Sequence, residues 1–592
     1  MSFCKNLFER LGTRSNEPRA DRIKRSFVIL LLLVPLRSAF TQTVETPLSS
    51  WSYDLLDHFR GRGLLEVGTF NTRPLTKSAM TKALLSLHKN TNARLSHAER
   101  ERLEYLLFEF SEEAQRLDSS AALAEVIAKQ RRNESRLTEW LPRPLYNNGR
   151  NFFAWQERGL RFYFDPLLYR DGTFNDTDTL AQQDRVAQST NGFIFWGALG
   201  KRLGFYFNSR DTKEFGTRTY PASSRLAWPR YGYARGYGSH VYHDETVAYL
   251  YFALPYVEVE VGKNFNRWGP GRSGSLALND YATSYDQIKL VAQFWRAQFT
   301  YLHATLRQHP PVLTNSYFSN GVERQIFANK YLAAHRLEVA PMRWLNFALH
   351  ETVIYSERGV ELAYLNPIMF YRSAEHFLGD RDNATIGADL EVRPLPGLRV
   401  YGELFIDDLA IARLSEHWYG NKVAWLAGAH FASTLGRFAH DLRAEYVRLA
   451  PYVYSHTFPI NVYKHYNTML GHPLGPNAEA FYFEWLLWGG RHWQALGAAE
   501  HARHGANPPD RNVGGDVDRA FHVRDNQTVY FFDGIVERRT RLRLEARYEV
   551  MRNLRVKLAV ERSRFQNAPA TAGRREAQTY TIFLALGLNA ED

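Results

Sequence analysis

The sequence predicts a mainly β fold, a transmembrane antiparallel β-barrel preceded by a small helical bundle, on three observations. One pattern of alternating strand, short turn and alternating strand recurs along the chain; helical spacing is confined to a stretch near the N-terminus; and after the first residues no apolar run is long enough for a membrane helix. The repeats are Leu337-Glu338-Val339-Ala340-Pro341-Met342-Arg343-Trp344-Leu345, Leu390-Glu391-Val392-Arg393-Pro394-Leu395-Pro396-Gly397-Leu398 and Tyr548-Glu549-Val550-Met551-Arg552-Asn553-Leu554. Side chains alternate across a strand, so Leu542, Leu544, Ala546, Tyr548 and Val550 share one face, and Arg541, Arg543, Glu545, Arg547 and Glu549 the other. After the turn, Leu554, Val556, Leu558 and Val560 resume the apolar side, while Arg555, Lys557 and Glu561 resume the charged one. A soluble sandwich would turn the oily face inward. Many strands whose opposite face is strongly charged suit a barrel that shows oil to lipid and charge to water.

The composition agrees. Aromatics make up 14% of the chain, with 33 Tyr, 38 Phe and 13 Trp, the residues that form girdles at the two lipid interfaces. At 592 residues the chain exceeds one ordinary core, yet a large barrel uses that length as a single domain. At the start, Arg22, Lys24 and Arg25 precede the apolar run Phe27 to Leu36 and the small residues Ser38 and Ala39. This pattern predicts a secretory signal peptide over residues 1–41. The one cysteine, Cys4, falls inside it, so the exported chain is expected to carry no disulfide and no thiolate metal site. The formal net charge is +12, and arginine greatly outnumbers lysine. Such a balance fits a charged lumen with solvated loops. It also fits affinity for lipopolysaccharide phosphates or an acidic polysaccharide, since Arg binds both groups bidentately. Export removes nucleic acid as a partner.

Residues 47–135 are expected to form the helical domain. Thr76 predicts a helix over about Lys77 to His88. Ser96-His97-Ala98-Glu99 is a capping box opening a second helix with Leu103, Leu106, Leu107 and Phe110 on one face. A third is expected over about Ser119 to Lys129. The barrel is expected over residues 145–592, with hairpins at Gly192 to Phe207, Val247 to Val261, Gln287 to Arg307, Tyr331 to Tyr355 and Thr385 to Phe405. Long loops are expected at Asp171 to Thr190, Lys213 to Asp244 and Asn507 to Arg524. Pro255, Pro341 and Pro394 belong in turns, because proline cannot donate to an interior ladder.

Chemical motifs mostly dissolve on inspection. Gly269-Pro270-Gly271-Arg272-Ser273-Gly274 matches the dinucleotide fingerprint but precedes no helical period, so a glycine-permitted bend is expected and no cofactor. Gly271-Arg272-Ser273-Gly274-Ser275 lacks the last glycine of a nucleophile elbow. Glu500-His501-Ala502-Arg503-His504 spaces its histidines by three, where a zincin helix needs four, so no metal site is expected. Strand parity sets Asp389, Glu391, Glu403 and Asp407 on the polar face of one hairpin with Arg393 and Arg399. That reads as a lumenal charge ladder ahead of a pair of hydrolytic acids. The stretch Trp228, Arg230, Tyr231, Tyr233, Arg235 and Tyr237 offers flat rings and guanidinium groups for a sugar platform, or equally a loop packed on itself.

Trp51-Ser52-Tyr53-Asp54-Leu55-Leu56, Arg73-Pro74-Leu75-Thr76-Lys77, Trp268-Gly269-Pro270-Gly271, Leu365-Asn366-Pro367-Ile368-Met369-Phe370 and Asp382-Asn383-Ala384-Thr385-Ile386-Gly387-Ala388-Asp389 follow one another along the chain. In this order the series resembles the Wzi-like capsule-assembly proteins of Gram-negative outer membranes. The resemblance implies a barrel of about 18 strands with the bundle at its periplasmic end. It implies a lectin-like, non-enzymatic role in attaching or organising exported capsular or extracellular polysaccharide at the cell surface, and it puts Arg267, Trp268 and Arg272 on the barrel interior as candidate polysaccharide-binding residues. The chain departs from the usual barrel ending by closing on Leu586-Gly587-Leu588-Asn589-Ala590-Glu591-Asp592, without a terminal aromatic. The expected partners are the polysaccharide, outer-membrane lipid and lipopolysaccharide, and the barrel-assembly machinery. The alternative functions are a passive anion or solute pore and an outer-membrane hydrolase.

Overall fold

The computed structural model describes residues 44–138, 145–178, 184–217, 234–237, 240–569, 573 and 575–590. The expected signal peptide lies outside them. Eighteen antiparallel strands close into one barrel. They are β1 (Leu160–Thr177), β2 (Asp184–Leu199), β3 (Leu203–Gly216), β4 (His240–Ala253), β5 (Glu258–Asn264), β6 (Tyr285–Phe294), β7 (Ala297–Leu306), β8 (Lys330–Met342) and β9 (Leu345–Ser356). The ring continues with β10 (Asn383–Leu395), β11 (Leu398–Asp408), β12 (Lys422–Leu435), β13 (Phe438–Leu449), β14 (Ala478–Trp488), β15 (Trp493–Ala506), β16 (Ile535–Met551), β17 (Leu554–Gln566) and β18 (Glu576–Leu588). β18 closes on β1, with Leu588 opposite Leu168.

The alternation of the sequence becomes the inside and outside of this wall. On β16, Leu542 and Leu544 are 51% and 70% exposed, while Glu545 and Glu549 on the other parity are each 7% exposed. Inside, Arg543 and Arg547 both bond Glu545 at 2.5 Å. One end of the barrel carries short turns, at 295–296, 343–344, 396–397, 436–437 and 552–553, and the other carries loops such as 307–329, 357–382, 450–477 and 507–534. Short turns mark the periplasmic end of such barrels. All the repeats lie at that end and share one device: the ladder slips between Val339 and Met342, between Val392 and Leu395 and between Glu549 and Met551, just before the turn. Pro341 and Pro394 sit at these bulges inside strand ends, whereas Pro255 lies in a turn. The bulge leaves a residue unpaired, so proline forfeits no ladder bond there.

Two expected loops are shorter than the sequence suggested. Asp171 to Thr190 is mostly strand, with β1 reaching Thr177 and β2 starting at Asp184, and β3 and β4 extend into Lys213 to Asp244. These extensions carry polar residues on both faces, so the hydrophobic alternation that reveals a strand is missing from them.

Helices α1 (Ser52–Gly61), α2 (Lys77–His88), α3 (His97–Glu109), α4 (Ser111–Leu117) and α5 (Ala121–Thr138) precede the barrel. Thr76 caps α2, its hydroxyl accepting from the Ala79 amide. Ser96 and Glu99 close the capping box of α3. The third expected helix begins two residues later and runs longer, as α5. The bundle packs on the short turns: the Ala98 amide donates to the Arg437 carbonyl, Arg102 to the carbonyls of Gly490 and Trp493, and Arg552 to Glu109.

Candidate functional site

From the bundle, charged side chains enter the lumen and meet the wall. On α1, Arg60 donates to Glu391 of β10 at 2.7 Å, and Asp57 accepts from Arg73 at 2.6 Å and from Arg399 of β11 at 3.2 Å. Between α1 and α2, Glu338 of β8 accepts from the amides of Phe70 and Asn71 and from the Thr72 hydroxyl. His58 sits between Asp441 of β13, at 3.1 Å, and Glu99 of α3, at 2.9 Å. Burial disfavours its charge, but Asp441 and Glu99 outweigh that and push the imidazole up to about 9. The expected charge ladder is therefore lumenal, and much of it is taken up in holding the bundle. Asp389 accepts from Arg336 and Asp407 from the Tyr454 amide. The neighbouring Asp408 lies near Lys422 and Arg372.

The loop after β5 turns back into the lumen and holds the glycine motif. Thr72 and Arg73 pair with Trp268 and Arg267 in a two-stranded ribbon. Gly269 has φ of +127°, and a Cβ there would stand 2.3 Å from a Glu403 oxygen. Glycine allows that approach, and Glu403 accepts from the amides of Gly271 and Leu276, both at 2.8 Å. Arg272 joins three parts of the molecule: it donates to Asp54 of α1 at 2.8 Å and to Glu484 of β14 at 3.1 Å, and its amide and that of Ser273 donate to Glu445 of β13. The motif is a bend that locks a lumenal loop.

Of the sequence-derived site residues, Trp268 is buried, and Arg267 and Arg272 are committed to this loop, Arg267 donating to the Gly271 carbonyl. Arg235 and Tyr237 belong to a short strand, Ala234–Tyr237, that pairs with the outer part of β4. Trp228, Arg230, Tyr231 and Tyr233 lie outside the described residues. His501 and His504 share a strand, β15, and point to opposite sides of the wall, where they meet Thr540 and Glu537. Among the described residues no cluster of His, Cys, Asp or Glu is arranged to hold a metal ion.

The lumen is filled unevenly. On the β6 to β14 side, the loops 265–284 and 450–477 bring Leu276, Tyr454 and Tyr463 into an apolar cluster with Leu302, Phe405 and Leu426 of the wall. Against β14 to β17, a cavity of about 380 Å³ remains, within the usual range of small-ligand sites. Its lining includes Tyr281 and His472 from the loops, and Tyr482, Glu500, Arg539 and Arg541 from the wall. Arg539 donates to Glu500 at 2.7 Å and Arg541 approaches Glu561 at 3.4 Å, and both guanidinium groups stay over a third exposed. Burial raises the Tyr281 phenol, and Arg539 and Arg541 beside it pull the other way. Burial pushes His472 down to about 3, so it is neutral and can donate or accept. Aromatic rings, neutral donors and half-free guanidinium groups around one space are the chemistry that holds a sugar bearing acidic groups. The sequence showed Arg541 as lumen-facing through its parity. The convergence with Tyr281 and Tyr482, far away along the chain, is a product of the fold.

The family model for the capsule assembly protein Wzi matches residues 184–578, more than half of the chain. Among solved structures, the chain is similar to Wzi of Escherichia coli, described as an outer-membrane protein involved in group 1 capsule assembly and as a carbohydrate-binding β-barrel. The identity is 13%, the match covers 92% of this chain and 99% of that one, and the TM-score is 0.52. OccD3 of Pseudomonas aeruginosa matches with 11% identity over 72% of this chain and 91% of its own, at a TM-score of 0.38. OccAB4 of Acinetobacter baumannii matches with 8% identity over 73% and 98%, at 0.41. No curated protein matches by sequence. A closed barrel of this size with an apolar belt is an integral protein of the outer membrane. The chain belongs to the Wzi family of capsule assembly proteins.

Proposed function

We propose that this protein attaches exported capsular or other extracellular polysaccharide to the cell surface, as a lectin and not as an enzyme. The observation that carries the reading is the cavity against β14 to β17, where Arg539 and Arg541 face open space beside Tyr281 and Tyr482. A chain segment with uronate, phosphate or other acidic substituents would enter from the long-loop side, and the bundle behind would keep it from passing through. The carbohydrate-binding description of the Escherichia coli relative supports the same role. Outer-membrane lipid and lipopolysaccharide surround the barrel in this reading, and the barrel-assembly machinery inserts it. The stretch from Trp228 to Tyr237 would extend the sugar surface beyond the cavity. Removing the gene from a polysaccharide-producing strain is expected to lower cell-bound polysaccharide and raise the released fraction, with total synthesis unchanged. Equal cell-bound polysaccharide in the two strains would contradict the proposal.

A further inference from the structure

The loop between β9 and β10 does not extend away from the barrel. It carries two short helices, α6 (Leu362–Leu365) and α7 (Tyr371–Phe377), and folds down over the outside of the wall. Strand parity shows this. Ala333, Val353, Tyr355 and Ala384 share the outward parity of Leu337, Leu349 and Ile386 on the same strands, yet they are buried, in one cluster with Tyr364, Tyr371 and Ala374 of the loop. Polar contacts fix the flap there: the Tyr371 amide donates to Glu351 at 3.1 Å, Tyr301 to the Tyr364 carbonyl at 3.0 Å, and Tyr364 to Asp382 at 2.7 Å.

The height of this flap follows from strand geometry. Trp344 stands half exposed in the short turn before β9, as a girdle residue at the inner interface. With a rise of ~3.4 Å per residue and a tilt of ~40°, Glu351 lies about 18 Å and Tyr355 about 29 Å above it, against an apolar band ~25 Å tall. The flap thus covers outward-facing polar groups: Glu351 and its cross-strand neighbour His335 lie within the outer part of the band, where bare polar groups are costly, and Tyr355 stands just above its outer edge. Its own outer surface carries large apolar side chains: Leu362 is 78% exposed, Ile368 83% and Phe377 94%, with Phe370 half exposed, while Glu357, His376, Asp380 and Arg381 are exposed beside them. Its arginines pair, Arg358 with Asp382 and Glu361, Arg372 with Glu375 and Asp408, and Arg381 with Glu357, and the His376 ring hydrogen-bonds Asp380. This apolar surface continues the lipid-facing belt formed directly below by Leu349, Ile386 and Leu390.

We infer that the α6–α7 flap is an interfacial element whose partner is the lipid of the outer leaflet, with Leu362, Ile368, Phe370 and Phe377 seated among acyl chains. The inference rests on the outer-membrane barrel and not on the glycan reading. It also gives a role to the segment Leu365 to Phe370, for which the polysaccharide cavity has no use.

The test is depth-resolved quenching on the full exported chain in bilayers, with Cys4 replaced by Ser wherever it is retained. An environment-sensitive fluorophore is attached at Phe377→Cys and, separately, at Ile368→Cys. Leu349→Cys, in the apolar belt, and Val523→Cys, 85% exposed in the loop 507–534, serve as references. Both flap labels are expected to be quenched by lipids brominated high on the acyl chain, with position 349 giving the response of a site near mid-bilayer, and to be shielded from aqueous iodide. Iodide quenching like that at position 523 would overturn the inference. So would shielding from both quenchers, which would mean that a protein surface, a second copy included, covers the flap.

Discussion

Asp441→Ala is expected to lower the stability of the folded protein by about 3 kcal/mol, the scale for removing one partner of a buried charge network. Asp441 is fully buried and accepts from His58 at 3.1 Å and from His430 at 2.6 Å, so it joins the helical bundle to the wall. Without it, a protonated His58 keeps Glu99 alone, and Glu99 is shared with Arg62. The same site sets a pH dependence. The folded value of His58, about 9, lies above its ordinary 6.5, so its stabilisation is fully present below pH 6.5 and is lost as pH rises through 9. That window holds on the order of 3 kcal/mol in the native chain. Denaturant unfolding in detergent at pH 6 and at pH 9.5 measures both effects. The native protein should lose stability at the higher pH, and the Asp441→Ala variant should show a much smaller difference. Equal pH dependence in the two proteins would show that His58 is not held charged.

Arg539→Ala together with Arg541→Ala is expected to weaken binding of an acidic polysaccharide by roughly 100- to 10,000-fold, since each of the two charge-assisted bonds to an ionised group contributes roughly 1.5–3 kcal/mol. Folding should change little, because both guanidinium groups are partly solvated and such pairs contribute at most about 1 kcal/mol each. The paired lysine variant should fall between, as it keeps the charge and loses the planar fork. Binding isotherms with polysaccharide fragments give the affinities, and heat-dependent gel mobility reports that the barrel has formed. Unchanged affinity in the alanine pair would move the sugar away from this cavity.

The fold was largely legible because membrane strands repeat one signal. Leu542 to Val550 and Leu554 to Val560 each alternate cleanly, since one side of every strand meets lipid and the other meets charge. Thr76 and the Ser96 to Glu99 box announced α2 and α3, where capping chemistry is local. α1 was hidden: its apolar residues Tyr53, Leu55, Leu56 and Phe59 cover only two turns and are interleaved with Asp57, His58 and Arg60, which are buried against a charged lumen. The flap was hidden for the opposite reason, because its exposed Ile368 and Phe377 look like an ordinary loop until strand parity shows which face of the wall lies beneath them. The candidate site was legible only in part. Parity placed Arg541 inward, but Tyr281, Tyr482 and Arg539 come together through barrel closure and an inward loop that no local pattern encodes. Trp268 and Arg272 stand out in the sequence as candidate sugar-binding residues, and in the structure Trp268 is buried and Arg272 is bonded to α1 and the wall at once.

The most direct measurement is equilibrium binding of the purified, detergent-solubilised barrel to surface polysaccharide extracted from the strain that makes it. Saturable binding that is competed by acidic fragments of that polymer, and that screens out at high salt, is the predicted result. A heat-modifiable, folded barrel that binds none of the polymer would contradict the account.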